Sequence, residues 1–178
     1  KSGVSADQVD EVLMGHVVQA GCGQAPARQA SLGAGIGENV PCTTLNKVCG
    51  SGLKTLISAA QSIKCGDNKV VVAGGMENMS MAPHLNKNSR TGTKFGDSQE
   101  KDSLLLDGLW DVYSDRPMGN CAEECTTKYE FSRESQDEYA IRSFKRAQAA
   151  ATDGFFETEI VPVEVTVRRE KKLISADE

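Results

Sequence analysis

A cysteine between a strand pattern and a helix start is the residue of this chain best placed to do chemistry. The run is Asn46-Lys47-Val48-Cys49-Gly50-Ser51-Gly52-Leu53-Lys54. Residues 40–48 read as a strand, and Gly50 and Gly52 turn the chain. Residues 53–64 then carry Leu53, Leu56, Ile57, Ala60 and Ile63 at helical spacing. Cys49 therefore falls near a helix N-terminus, where the macrodipole and the free N–H groups favour a thiolate. The glycines on either side of Ser51 let a substrate approach the main chain closely. The N–H groups of the turn are placed to hold an oxyanion. Hydrolases use such a strand–turn–helix elbow for serine; here the nucleophile is sulfur. The bland alternative is an inert cysteine buried in a tight turn. A strained elbow is costly and is found mostly where function needs it.

The other candidates are weaker. Cys121 and Cys125 stand four apart in a helical stretch. Two ligands are too few for structural zinc and no histidine is near, so packing is expected there and no metal site. Cys22 and Cys42 carry no motif, although Cys42 is a candidate to share a cavity with Cys49. A cysteine nucleophile usually wants a base. Neither His16, in an apolar strand, nor His84, after Ala82-Pro83, has a spacing that marks it as one, and packing is the better reading for both. Gly33, Gly35 and Gly37 imitate a dinucleotide-binding loop, but they follow a helix where the fingerprint requires a strand. Asn78-Met79-Ser80 is a glycosylation sequon by letter only.

The elements that must position Cys49 alternate. Ser5-Ala6-Asp7-Gln8 has the capping-box pattern and predicts a short helix to about residue 11. Residues 12–18 read as a strand. Pro26 suits the first turn of a helix to about residue 32. The strand over 40–48 and the helix over 53–64 follow, the latter closed by Gly66. Residues 69–73 are a continuous apolar run typical of a buried parallel strand. Strands alternating with helices mean βαβ units and a mainly parallel sheet. Beyond Pro83 the chain turns polar, with Arg90-Thr91-Gly92-Thr93 as a candidate hairpin turn. Residues 118–130 look helical. Ser132 caps a further helix to about residue 151, and alternating valines predict a half-buried strand over 161–167. A boundary is expected near residues 82–83.

Composition excludes several function classes. The chain has 178 residues, 39% hydrophobic and 25% charged, which is ordinary for a globular domain able to bury its own core. A net charge of −5 invites neither nucleic acid nor an anionic membrane. No run is long and apolar enough to span a bilayer. The six cysteines, in apolar or helical contexts without a secretory segment, point to a reduced intracellular protein. Lys1 and the charged stretch at Glu178 both look like cut ends, so cytoplasm and mitochondrion stay open as compartments.

Three stretches together resemble the thiolase family. The run from Asn46 to Lys54 resembles its active-site cysteine motif. Ala73-Gly74-Gly75-Met76-Glu77-Asn78-Met79-Ser80 resembles the motif that follows in the same family. Gly23-Gln24 with Pro26-Ala27-Arg28-Gln29-Ala30 matches a third stretch. Within the family the chain is most similar to the acetyl-CoA acetyltransferases, as Met118-Gly119-Asn120-Cys121-Ala122-Glu123 also indicates. The resemblance implies an α/β fold, a thiolase-like N-terminal half. It has a mainly parallel mixed sheet with helices on both faces and an inserted α+β loop domain. Residues 1–82 would form the core. Residues 83–178 would form the loop domain with an oligomerisation hairpin, the stretch from Met81 to Leu109 having a similar length.

For activity, the resemblance implies ping-pong condensation of two acetyl-CoA to acetoacetyl-CoA and coenzyme A through an acetyl group on Cys49. Coenzyme A is then substrate and product, with no separate cofactor. Leu109 and Met118 match positions that line the pantetheine pocket. A homo-oligomer, dimer or tetramer, is implied as well. Pro117 departs from the family, which commonly has histidine before the Met-Gly pair, and a polar contact to coenzyme A is lost with it. In the family the catalytic histidine, the second catalytic cysteine and an Asn-Glu-Ala-Phe motif belong to the C-terminal repeat. None occurs in these residues, so little or no turnover is expected of this polypeptide alone. A degradative 3-ketoacyl-CoA thiolase and a non-catalytic acyl-CoA or lipid-binding module are the competing readings.

Overall fold

Val12 and Leu13 are neighbours in the chain, and both are buried, at 2% and 6% exposure. Successive side chains of a strand point to opposite faces, so the strand that holds them is covered on both sides. This strand, β1 (Glu11–Gly15), is the centre of a three-stranded sheet of order β2-β1-β3. Both β2 (Cys42–Leu45) and β3 (Val71–Gly75) run parallel to it. The computed structural model describes residues 2–176. Two helices connect the strands: α1 (Pro26–Gly33) packs on β2 and β1, and α2 (Ser51–Cys65) packs on β3 and β1. The α/β architecture with a parallel sheet is thus the one expected.

One face of β1 carries the apolar cluster of Val9, Val12 and Val40, with Ile36, Cys42 and Val70 packed against it. Cys42 belongs to this cluster, so it is a core residue and not a partner of Cys49. The other face receives α2. Gly66, at φ +84°, ends α2 and donates its N–H to Ile63 O at 3.1 Å; the left-handed turn is the reason a glycine stands there.

The helix expected after Ser5 is a single 3-10 turn, Ala6–Gln8. The capping contact is present, since the Ser5 N–H donates to Gln8 Oε1 at 3.1 Å. Two residues later Asp10 already ties the chain to the sheet. Its Oδ2 accepts the N–H groups of Lys69 at 2.7 Å and Val70 at 2.8 Å. The Val70 bond first, and the Lys69 bond next, hold the Asp10 carboxyl below the usual carboxylate range. A carboxyl depressed in the folded state adds stability above its unfolded value and loses it as pH falls through the folded one. Asp10→Asn is therefore expected to lower the melting temperature at neutral pH. The gap to wild type should close as the pH is taken below the ordinary carboxylate range, and melting curves over an acid series check this.

Beyond Pro83, β4 (His84–Leu85) pairs antiparallel with β5 (Lys101–Asp102). The loop between them turns where the Gly92 N–H donates to Asn88 O at 2.7 Å. Ser103 is fully buried, and both its N–H and its hydroxyl donate to Pro83 O, at 3.1 and 2.6 Å. A π-type turn, Leu105–Leu109, leads into β6 (Trp110–Asp111), which pairs with β7 (Arg116–Pro117). Then come α3 (Met118–Lys128), α4 (Arg133–Thr152), β8 (Val163–Val167) and β9 (Glu170–Ile174). Contacts divide the chain into two compact units, Ser2–Cys121 and the residues from Ala122 onward. Residues 83–121 thus stay with the sheet.

In the second unit Ser132 caps α4 as expected, its Oγ accepting the Ser135 N–H at 3.2 Å. The valine strand is β8, and it is mostly exposed. It pairs antiparallel with β9, Val163 opposite Ile174 and Val167 opposite Glu170. No helix among the described residues is long and apolar enough to cross a membrane.

Candidate active site

The carboxyl ends of β1 and β3 and the N-terminus of α2 meet at one place, where open parallel sheets usually bind ligands. Cys49 stands there, exposed, two residues before the start of α2. Gly50 is the N-cap. Its N–H donates to Lys47 O at 3.1 Å, and its carbonyl accepts the Lys54 N–H at 2.9 Å. The sulfur thus lies at the positive end of the helix macrodipole.

The elbow rests directly on the sheet because three glycines remove the side chains between them. A Cβ on Gly15 would lie 2.6 Å from Gly52 N and from the Ser51 carbonyl carbon. Gly52 and Gly75 approach each other to the same end, at 3.6–3.7 Å from the position a Cβ would take. Thr55, wholly buried, adds a tie: its Oγ1 lies 2.7 Å from Gly52 O and 2.9 Å from Gly74 O. One hydroxyl proton serves both acceptors.

Cys49 opens onto a cavity of about 440 Å³. Val48, Cys49 and Ser51 line it from the elbow, Gly15 to Val18 from the end of β1, and Met76 and Glu77 from the end of β3. Leu104, just before the π-type turn, and Gly108 and Leu109 within it line the remaining side. The walls are largely apolar, and the volume is in the usual range for small-molecule sites.

Glu77 fastens two of these walls together. Its Oε2 accepts the Val17 N–H at 2.8 Å and its Oε1 the Val18 N–H at 3.2 Å. His16, 6% exposed, places Nε2 3.2 Å from the same Oε1. His16 is thus a buried tether, in keeping with the packing role expected for it. Glu77→Ala leaves two strand-end N–H groups and an imidazole without their acceptor. A loss of about 1–3 kcal/mol is expected, with Glu77→Gln closer to wild type because it keeps one acceptor oxygen. Urea unfolding of the two variants checks the order.

The profile described as "Thiolase, N-terminal domain" matches residues 1–178. The chain belongs to the thiolase family. This thiolase chain is 54% identical over 166 residues to acetyl-CoA acetyltransferase 2 of Arabidopsis thaliana, covering 93% of this chain and 41% of that protein. It is 50% identical over 178 residues to the acetyl-CoA acetyltransferase of Yarrowia lipolytica, covering 100% of this chain and 44% of that protein. The crystal structure of a thiolase from Ascaris suum in complex with coenzyme A superposes with a TM-score of 0.90 at 40% identity. That match covers 99% of this chain and 44% of the other. The chain thus spans somewhat under half the length of the relatives it matches.

Of the residues singled out in the sequence of this thiolase, Cys49 and Leu109 line the same cavity. Met118 opens α3, half-exposed, and is not among the lining residues. Cys121 donates toward Asp111 Oδ2 at 3.5 Å. Asp111 also accepts the Ser114 hydroxyl and the Tyr113 N–H. Ser114 chiefly, then Tyr113, hold its carboxyl below the usual range. His84 is exposed on β4. All six cysteines are free thiols. The tether role of Glu77 was not evident in the sequence, although the residue lies within the second quoted motif. Its signal is a carboxylate two residues after a glycine-ended apolar strand.

Proposed function

We propose that the whole protein is an acetyl-CoA C-acetyltransferase that joins two acetyl-CoA into acetoacetyl-CoA and coenzyme A, reversibly, with Cys49 as acyl carrier. The observation that carries this is Cys49 at the N-terminus of α2, open to an apolar cavity, in a chain 50–54% identical to proteins named acetyl-CoA acetyltransferase. In the first half-reaction the Cys49 thiolate attacks the thioester carbonyl. The bond from that carbon to the sulfur of coenzyme A breaks, and the leaving thiolate takes up a proton. In the second, a base removes a methyl proton from another acetyl-CoA. The carbanion attacks the acetyl carbonyl on Cys49, and the sulfur of Cys49 leaves. Covalent catalysis divides one hard step into two. The Cys49 N–H would help to stabilise the oxyanion.

Leu109 supports this reading as an apolar wall for the pantetheine arm, and Met118 would act at the same arm. Coenzyme A enters as substrate and product, without a further cofactor. The base for the second half-reaction would come from the second repeat of the family fold, so these 178 residues alone would turn over little. A homo-oligomer within the cell, in cytoplasm or mitochondrion, completes the proposal. The test is a series of 3-ketoacyl-CoA thiolysis rates on the whole protein. Rates should fall sharply beyond acetoacetyl-CoA; undiminished rates on long chains would assign it to fatty-acid degradation instead.

A further inference from the structure

Val48 occupies the left-handed region, with φ of 48°. A β-branched residue there is a genuine outlier, and such strain persists only where neighbours over-determine it. Two side chains do so here, beside the main-chain N–H of Ser51, which donates to Val48 O at 3.0 Å. Asn46 Oδ1 accepts the Val48 N–H at 2.9 Å, while Asn46 Nδ2 reaches Val17 O at 3.4 Å, at the end of β1. On the other side the Ser51 hydroxyl donates to Val48 O at 2.6 Å and accepts the Lys47 N–H at 2.8 Å. Ser51 is 4% exposed, so water does not compete for these bonds. The peptide on each side of Val48 is thereby fixed, and the next residue is Cys49. Glycine would adopt this φ without penalty, yet it would remove the valine side chain that walls the cavity.

We propose that Ser51 is a positioning residue for the acyl-transfer reaction: with Asn46 it holds Val48 in the left-handed turn that sets Cys49 at the tip of the elbow. This rests on the reading of Cys49 as acyl carrier. It separates the labour of the motif, with Val48 as wall, Ser51 as clamp and Cys49 as nucleophile. The clamp is needed because the wall residue resists its own backbone conformation, so removing the valine should make the serine dispensable.

The experiment is a double-mutant cycle on the whole protein, with S51A, V48G and S51A/V48G beside wild type. The first readout is acetylation of Cys49 by acetyl-CoA, followed by mass spectrometry of its peptide. S51A is expected to lower the rate at saturating acetyl-CoA by roughly 10- to 100-fold, with KM little changed. V48G is expected to raise KM, and S51A/V48G to match V48G in rate within about threefold. A merely structural serine would lower the rate equally in both backgrounds, and that result overturns the proposal, as does an S51A rate equal to wild type. The second readout is the melting temperature, which needs no acylation. S51A should lower it by several degrees, roughly 2–8 °C, and by clearly less in the V48G background. If wild type takes no acetyl group, the functional reading fails. The clamp is then judged on melting alone, where additive shifts overturn it and non-additive shifts uphold it.

Discussion

Replacing Cys49 by alanine is expected to abolish acyl transfer by the whole protein and leave its fold intact. The side chain is exposed, so its removal leaves no cavity in the core. None of the other cysteines among the described residues lines the Cys49 cavity. Cys42 is packed against Val9, Val12 and Val40, and Cys22 is exposed and absent from the walls of the Cys49 cavity. Without the nucleophile the covalent route is closed, and a fall of at least about 10⁴-fold in kcat is expected by comparison with other removed nucleophiles. Cys49→Ser should be nearly as poor, because a hydroxyl is a far weaker acid than a thiol and does not supply the ionised nucleophile that sulfur does. Condensation and thiolysis rates, with circular dichroism as a control on folding, measure both. Near wild-type rates in Cys49→Ala would remove Cys49 from the mechanism, whereas a variant without these rates that kept its biological function would favour the non-catalytic binding-module reading.

The second large effect is expected from Gly15→Ala, a single added methyl group far from Cys49 in sequence. The new carbon would lie 2.6 Å from two main-chain atoms of the elbow, Gly52 N and the Ser51 carbonyl carbon. Neither is the end of a flexible side chain, so β1 or the start of α2 must move. Overpacking of this kind costs about 1–3 kcal/mol. Activity should suffer more than stability, because Ser51 and Gly52 stand two and three residues after Cys49 in the same elbow. A displacement of about 1 Å at a reacting atom is enough for a loss on the order of 100-fold. Gly33→Ala is the control: the exposed last residue of α1 has open space where a Cβ would go, and the substitution should be neutral or slightly stabilising. Melting temperatures and kcat for the pair separate crowding at the elbow from any general effect of losing a glycine.

The contrast between Cys49 and Glu77 shows which features could be read from the sequence. The Cys49 elbow is local: strand pattern, turn and helix fall within one run, and each has its own composition. α2 was legible for the same reason, from its apolar spacing and Gly66, and β3 from the run Val70-Val71-Val72. Glu77 acts on residues 59 and 60 positions away, so its role exists only once β1 and β3 are known to be neighbours. Gly15 is the same case, its importance residing in what α2 places above it.

Two local errors have physical causes. The strand expected over 40–48 is confined to Cys42–Leu45, because Val40 is spent on the core cluster and Lys47 already belongs to the elbow. β9 carries no hairpin signal in the sequence, because its turn is Arg168-Arg169, both with positive φ, where two-residue hairpins normally carry asparagine and glycine.

The most direct test is to incubate the whole protein with acetyl-CoA, quench it in acid and sequence the peptides by mass spectrometry. An acetyl group on Cys49, held as a thioester and removed again by added coenzyme A, is the predicted result. An unmodified Cys49 beside measurable condensation, or an acetyl group on another cysteine, would contradict the account at its centre.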